Sequence, residues 1–145
     1  MDDILSIVKQ CKVLRLAIQD DAAPYIVPLS FGYSLTGGAL TLFFHSAPEG
    51  RKLELLRKAC YASFEMDCSV VPVDNEEPCR CGLCYASVIG RGSVRFLEGE
   101  EKRSALSAIM LHQRGRSVVF TDEQVGGVCV FSLHVESVTG KARRP

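Results

Sequence analysis

The chain has 145 residues, 47% of them hydrophobic, which suits one domain over residues 1–145 with a sizeable core and excludes global disorder. Its 17 basic and 17 acidic residues cancel. No basic surplus argues for nucleic acid, and any anion site must come from local placement of charge. No apolar run approaches the roughly 18 residues of a membrane-spanning helix.

The opening stretch MDDILSIVKQ starts acidic and lacks the long apolar run of a secretory signal. The seven cysteines are therefore expected as reduced thiols in the cytoplasm, not as a disulfide framework. Residues Asp2 to Gln10 carry Ile4, Leu5 and Val8 at helical spacing, with Asp2 and Asp3 suited to the helix start. Val13 to Gln19 reads as a strand with Leu14, Leu16 and Ile18 on one face. Arg15 lies on the other face with Val13 and Ala17, either as a solvated or paired surface residue or as a polar group facing a ligand.

Asp20 to Pro24 is a turn, and Tyr25 to Tyr33 a second strand completing a hairpin. Pro28 inside that strand cannot donate to a ladder, which implies an edge, a bulge, or a place where something other than a strand lies alongside. Ser34 to Gly38 turns into a third strand, Ala39 to His45. After a helix, Ala59 to Cys68 alternates as a half-buried strand. Val70 to Cys84 reads as a loop rich in Pro, acidic residues and Cys. Tyr85 to Leu97 is a long strand whose Gly90 and Gly92 share a face, which suggests a bend or close approach by another surface.

Glu98 to Arg114 has acidic residues at its start, an apolar face of Leu106, Ile109 and Met110, and a stop at Gly115. Val128 to Thr139 is the last alternating strand, followed by a tail from Gly140. About six strands and three helices, with strands mostly joined by short turns, favour a mainly β fold: an antiparallel barrel with peripheral helices.

The stretch Phe43 to Lys58, FFHSAPEGRKLELLRK, carries the clearest chemistry. A strand ends near His45, and the loop Ser46-Ala47-Pro48-Glu49-Gly50 delivers Arg51 and Lys52 to a helix start. Unpaired N–H groups and a partial positive charge there suit a phosphate, and two cations add what a dianion needs. The same residues also read as an ordinary helix start. Ser46 would be the N-cap with Glu49 three residues on, and Pro48 would occupy the first turn.

The cluster Cys79-x-Cys81-x2-Cys84 resembles half of a zinc knuckle, with Cys68 and His112 as distant further ligands. A redox-active pair or plain loop cysteines fit it equally, and no metal site is assigned. No G-x-S-x-G, P-loop or G-x-G-x-x-G is present.

The order of the pieces adds more. Pro-Tyr-Ile-Val-Pro, then Phe-His-Ser-Ala-x-x-Gly-x-Lys, then Ser-Val-Ile-Gly-x-Gly and a late Thr-Gly-Lys together resemble the pyridoxamine 5'-phosphate oxidase-like FMN-binding split barrels. Within these the chain is most similar to the branch named for nitroimidazole resistance, over about Lys12 to Lys141. The resemblance implies a six-stranded antiparallel split β-barrel that forms a homodimer with FMN at the subunit interface. It places Arg15 near the flavin and Val27, Pro28, Leu29 and Ser30 along the isoalloxazine. His45, Ser46 and Ala47 would lie by ring and phosphate, Arg51 and Lys52 on the phosphate, Ser87 and Val88 near the second side, and Lys141 would come from the tail. The implied activity is an FMN-dependent oxidoreductase acting on a small molecule, with His45 as the catalytic residue. A non-catalytic flavin or haem binder is the alternative, and pyridoxamine-phosphate oxidase activity a third.

Overall fold

The computed structural model describes residues 1–144. Its elements are α1 (Asp2–Gln10), β1 (Val13–Ile18), β2 (Tyr25–Ser30), β3 (Gly32–Thr36), β4 (Ala39–Ser46), α2 (Arg51–Ala59), β5 (Tyr61–Val73), β6 (Gly82–Phe96), α3 (Gly99–Arg114), α4 (Asp122–Gly126) and β7 (Cys129–Arg143), with a 3-10 turn at Pro78–Arg80. All strand pairs are antiparallel, in the order β2-β1-β5-β6-β7-β4-β3. No helix among the described residues is long and apolar enough to cross a membrane.

Connectivity closes the sheet. β2 and β3 stand at opposite ends of the strand order, yet Phe31 alone separates them. A one-residue link holds the two ends side by side only if the sheet curls into a barrel. The expected second strand, Tyr25 to Tyr33, thus becomes two strands. Its first half pairs with β1 and its second with β4, and Phe31 turns fully inward at the corner.

Alternation along the strands fills the barrel. Leu14, Leu16 and Ile18 of β1, Leu42 and Phe44 of β4, Phe64 and Met66 of β5, Val88 of β6, and Phe131 and Leu133 of β7 are essentially removed from water. Each such side chain contributes about 1.5–3 kcal/mol relative to exposure. Helix α1 adds Ile7 and Val8, and α2 adds Leu53, Leu55 and Leu56. A second, smaller core lies outside the sheet under α3 and α4, built from Leu97, Ala105, Leu106, Val125 and Val130.

Several sequence expectations shift at their ends. β5 runs on to Val73 and β6 begins at Gly82, so both ends of the expected cysteine loop form a two-stranded arm, while Cys79 and Cys81 stay in the connection between them. Its ladder resumes at Val71–Cys84 after a register shift. β7 continues through Arg143 because β6 is long enough to pair with it as far as Tyr85, so the expected tail is mostly strand. Gly90 and Gly92 do meet close neighbours, but within the chain: a Cβ on Gly90 would sit 2.5 Å from the Phe64 ring.

Helix α3 is anchored over the Phe31 corner. Gly32 permits this, since an added Cβ would lie 2.5 Å from the backbone nitrogen of Ile109. Gln113 Nε2 donates to the carbonyls of Phe31 (2.8 Å) and Lys12 (2.9 Å). His112 Nε2 lies 2.8 Å from the Cys11 carbonyl, and its ring packs against Phe31 and Tyr33. Burial, assisted by the nearby Lys12 charge, lowers the His112 pKa below its ordinary 6.5, while the bond to Cys11 opposes this. The folded chain therefore favours neutral imidazole, and the unfolded chain takes up the proton first as pH falls. The stabilisation is full above pH 6.5 and is lost as pH falls through that value toward the folded pKa. Thermal melts should show Tm dropping between about pH 7 and pH 5. His112→Gln should flatten that slope, and an equal slope in both proteins would remove His112 as its source.

Candidate flavin site at the barrel seam

The barrel is split along one seam. Among the described residues, β2 has a partner only in β1. β4 pairs with β3 no further than Gly32–Phe43, but with β7 as far as Ser46–Cys129. Beyond the Phe31 corner, β2 and the end of β4 diverge, each with one edge of backbone N–H and C=O groups free of ladder bonds. Such edges present unpaired donors and acceptors, open to a further strand or to another group that can hydrogen-bond along them. Pro28 sits in this terminal strand, where a missing N–H costs least.

The β4–α2 connection differs from the capping-box expectation. Ser46 is the last residue of β4 and buried, and its hydroxyl donates to the Ala47 carbonyl at 2.9 Å. The N-cap is Gly50, with φ of 138°, a conformation open to glycine and strained for other residues. A capping box does occur later, where Thr121 and Gln124 start α4. The first N–H groups of α2 are left free, since backbone bonding to Gly50 begins at Leu53.

The expected binding residues fall into three groups. His45, Ser46, Ala47 and Lys52 gather at the end of β4 and the start of α2. His45 is exposed and borders a cavity of about 330 Å³ walled by Leu106, Ile109, Met110, Phe120 and Val128, with Gln124 as the other polar wall. Arg51, beside Lys52, turns to the β1–β2 turn, where its Nη2 holds both Asp20 oxygens at 2.7 and 2.8 Å. This guanidinium lowers the Asp20 pKa.

The second group is on and around β2. Val27 and Leu29 pack toward the core, while Pro28 and Ser30 face out. Across the ladder, Pro28 adjoins Arg15, and Arg15 adjoins Glu65. The Arg15 guanidinium is taken by two β5 carboxylates, Glu65 at 2.9 Å and Asp67.

The third group continues the second across β5, where Ser87 stands opposite Asp67, the carboxylate that holds Arg15. Ser87 pairs with Lys141, and its hydroxyl donates to the Lys141 carbonyl at 3.5 Å, while Val88 is fully buried. Lys141 borders a separate groove under α1. Lys141 lies at the opposite end of β7 from the residues that pair with His45 and Ser46, so within one chain this group adjoins the second and not the first.

Two features were missed from sequence. Lys102, on the second turn of α3, is only 7% exposed. It sits on the helix stripe that Ala105, Leu106 and Ile109 continue, so a lysine at an apolar i, i+3, i+4, i+7 position was the available signal. Cys129 stands opposite Ser46 in the β4–β7 ladder. Burial raises its thiol pKa, against the charges of Arg57, Lys102 and Lys52. Arg57 also lies over the Phe96 ring, 5.0 Å from its centre.

The cysteine arm shows no ligand cluster. Cys79 and Cys81 are exposed and Cys84 is buried. Among the described residues no three His, Cys, Asp or Glu side chains are grouped to hold a metal. Cys68 instead neighbours Cys11, whose thiol is pushed up to about 12 by burial and then by Cys68. His112 is held at the Phe31 corner, where its ring meets Cys11, Phe31 and Tyr33.

An antiparallel barrel opened along one seam, with helices over its outer face, defines a split-barrel protein. The chain belongs to the pyridoxamine 5'-phosphate oxidase family, whose model matches residues 1–142. It is similar to a candidate 5-nitroimidazole antibiotic resistance protein from Bacteroides thetaiotaomicron VPI-5482, with 33% identity, 96% of this chain and 81% of that chain covered, and a TM-score of 0.83. The FAD and haem binding protein of Mycobacterium smegmatis shares the fold at 17% identity, with 99% and 70% covered and a TM-score of 0.81. So does a candidate pyridoxamine 5'-phosphate oxidase from Listeria innocua, at 20% identity, 95% and 94% covered, and a TM-score of 0.59. No curated protein matches the chain.

Proposed function

We propose that the protein binds FMN at this seam and is an FMN-dependent oxidoreductase that works as a homodimer. The carrying observation is the juxtaposition of open strand edges at β2 and β4 with the cationic start of α2. The residues fit the cofactor. Ser46, Lys52 and the free N–H groups of α2 would hold the phosphate, and the edge Val27–Ser30 would run along the isoalloxazine. When bound, the flavin supplies hydride or electron transfer, and the chain supplies binding, orientation and electrostatics. His45 would contact the substrate or move a proton to it, and the adjoining apolar cavity suits a small, flat molecule.

A second copy would bring Ser87 and Lys141, which lie beside Arg15 and away from His45 within one chain, to the other side of the site. The outer faces of β1, β2 and β6 carry Val13, Ile26 and Ile89, which are 44%, 64% and 57% exposed. An apolar surface of this kind supports a partner subunit.

The alternative, a non-catalytic flavin or haem binder, rests on the shared fold of the mycobacterial FAD and haem binding protein, and fold alone does not decide activity. The test is the visible spectrum of the purified protein, mass analysis of whatever heat releases, and reduction by NADH or NADPH. Released FMN with turnover on an electron acceptor is the expected result. A haem spectrum, or bound flavin without turnover, favours the alternative. A colourless protein that takes up no flavin would overturn both.

A further inference from the structure

We infer that Gln124 of α4 is a substrate-binding residue: its side-chain NH2 donates a hydrogen bond in the cavity beside His45 and selects a neutral ring that carries an acceptor oxygen. This rests on the oxidoreductase reading and names the class of molecule that its cavity takes.

The cavity holds about 330 Å³, and its walls besides His45 and Gln124 are apolar side chains. That is the small end of ligand pockets, roughly 300–1,000 Å³, in which a few placed polar groups fix orientation. No Lys, Arg, Asp or Glu among the described residues lines it. A phosphate or carboxylate brought in would lose its water without gaining a counterion. The deep walls are firm: Leu106 and Ile109 are buried on α3, and Phe120 and Val128 pack against the smaller core.

Gln124 enters this wall in a set orientation. In the α4 capping box its Oε1 accepts from the Thr121 N–H at 2.9 Å, while its own backbone N–H donates to Thr121 Oγ1 at 3.2 Å. Turning the amide over would set NH2 against the Thr121 N–H, so the bonding fixes which end is oxygen. The oxygen is thus engaged with the backbone, and among the described residues the Nε2 protons have no protein acceptor. The segment is braced from α3, where Arg103 donates to the Phe120 carbonyl and to Asp122, and Val125 anchors α4 in the smaller core. A donor held this way loses little further freedom when a ligand arrives. A ring without an acceptor oxygen would cover the NH2 and leave it unpaired, which is how a polar site rejects an apolar isostere.

A cap alone would tolerate glutamate, the other residue that serves at this position of a capping box; a donor would not. The test therefore titrates acetophenone and α-methylstyrene, which share a shape and differ in one acceptor oxygen, into the FMN-loaded protein and its Gln124→Glu variant. At about pH 8 the glutamate is ionised and only accepts. Affinity is read from the NMR shifts of the Ile109 and Val128 methyl groups. The variant should melt with wild type, and its ratio of ketone to alkene affinity should fall about tenfold. Gln124→Met, which also lacks the donor, reports the same ratio if Gln124→Glu fails to fold. An undiminished ratio in the folded variants sinks the inference and leaves the flavin reading intact, as does a wild type whose cavity methyls respond to neither probe. If the protein takes up no flavin, the flavin reading fails and the same titration of the flavin-free chain decides. A ratio that falls in the variants sustains the donor, and an equal ratio removes it.

Discussion

Replacing His45 with alanine should lower turnover by about 100-fold or more while flavin remains bound at full stoichiometry. The size is that of a lost positioned proton donor or acceptor, about 10²–10⁴ in rate. His45 ends the outer face of β4, one residue before the last β4–β7 pair. Its side chain is exposed, so its removal opens no core cavity. It borders the apolar cavity under α3 and α4, where Gln124 is the other polar wall. A substrate taking up electrons in that cavity would find its proton at His45. The measurement is kcat with an artificial acceptor, beside the flavin absorbance per subunit. Unchanged turnover would remove the role. Lost flavin would make His45 a cofactor ligand instead.

The second large effect is on folding. Gly92→Ala should cost on the order of 4 kcal/mol or more, a large part of the 5–15 kcal/mol typical of a domain. An added Cβ would lie 1.8 Å from the His134 carbonyl oxygen and 2.7 Å from its carbon. These are backbone atoms of the neighbouring strand, so no rotamer change relieves the clash. The ladder shifts register here: Arg91 pairs with Ser137 and Gly92 with Val135, leaving Glu136 as the extra residue of a bulge. Separating β6 from β7 at that point would open the barrel wall between its two longest strands. Urea melts should show a much lower midpoint at an unchanged slope. Gly126→Ala, with nothing within 4 Å of the added atom, is the control and should be neutral or slightly stabilising. Similar midpoints for both variants would refute the steric account.

Much of the fold is legible because local rules and the tertiary structure agree. Period-two alternation marks β1, β4, β5 and β6, and the inward set Leu14, Leu16 and Ile18 is buried as that alternation requires. Helix α3 ends at Gly115, in the left-handed conformation that closes a helix. At the β4–α2 turn local rules allowed two starts for one helix. Ser46 and Glu49 form a valid capping pattern, but pairing of Ser46 with Cys129 kept that residue in the strand. The helix then began after Gly50. A hydrogen-bond ladder formed by distant residues thus outweighed a cap of about 1 kcal/mol. Lys102 was hidden for a related reason. One lysine on an apolar stripe reads as a surface residue until the sheet beneath it is known.

By itself the sequence determined most of the strands, the three helices at Asp2–Gln10, after Gly50 and up to Arg114, and the cationic helix start at Arg51–Lys52, because these depend on spacing within a few residues. The tertiary structure decided where charge is available. It turned Arg51 to Asp20 and Arg15 to Glu65 and Asp67, and it covered most of Lys102. It also divided one expected strand at Phe31, so that the same segment supplies both lips of the seam. Each of these outcomes depends on which residues meet across long loops, and ion pairing and desolvation act only between groups that have already been brought within a few ångströms.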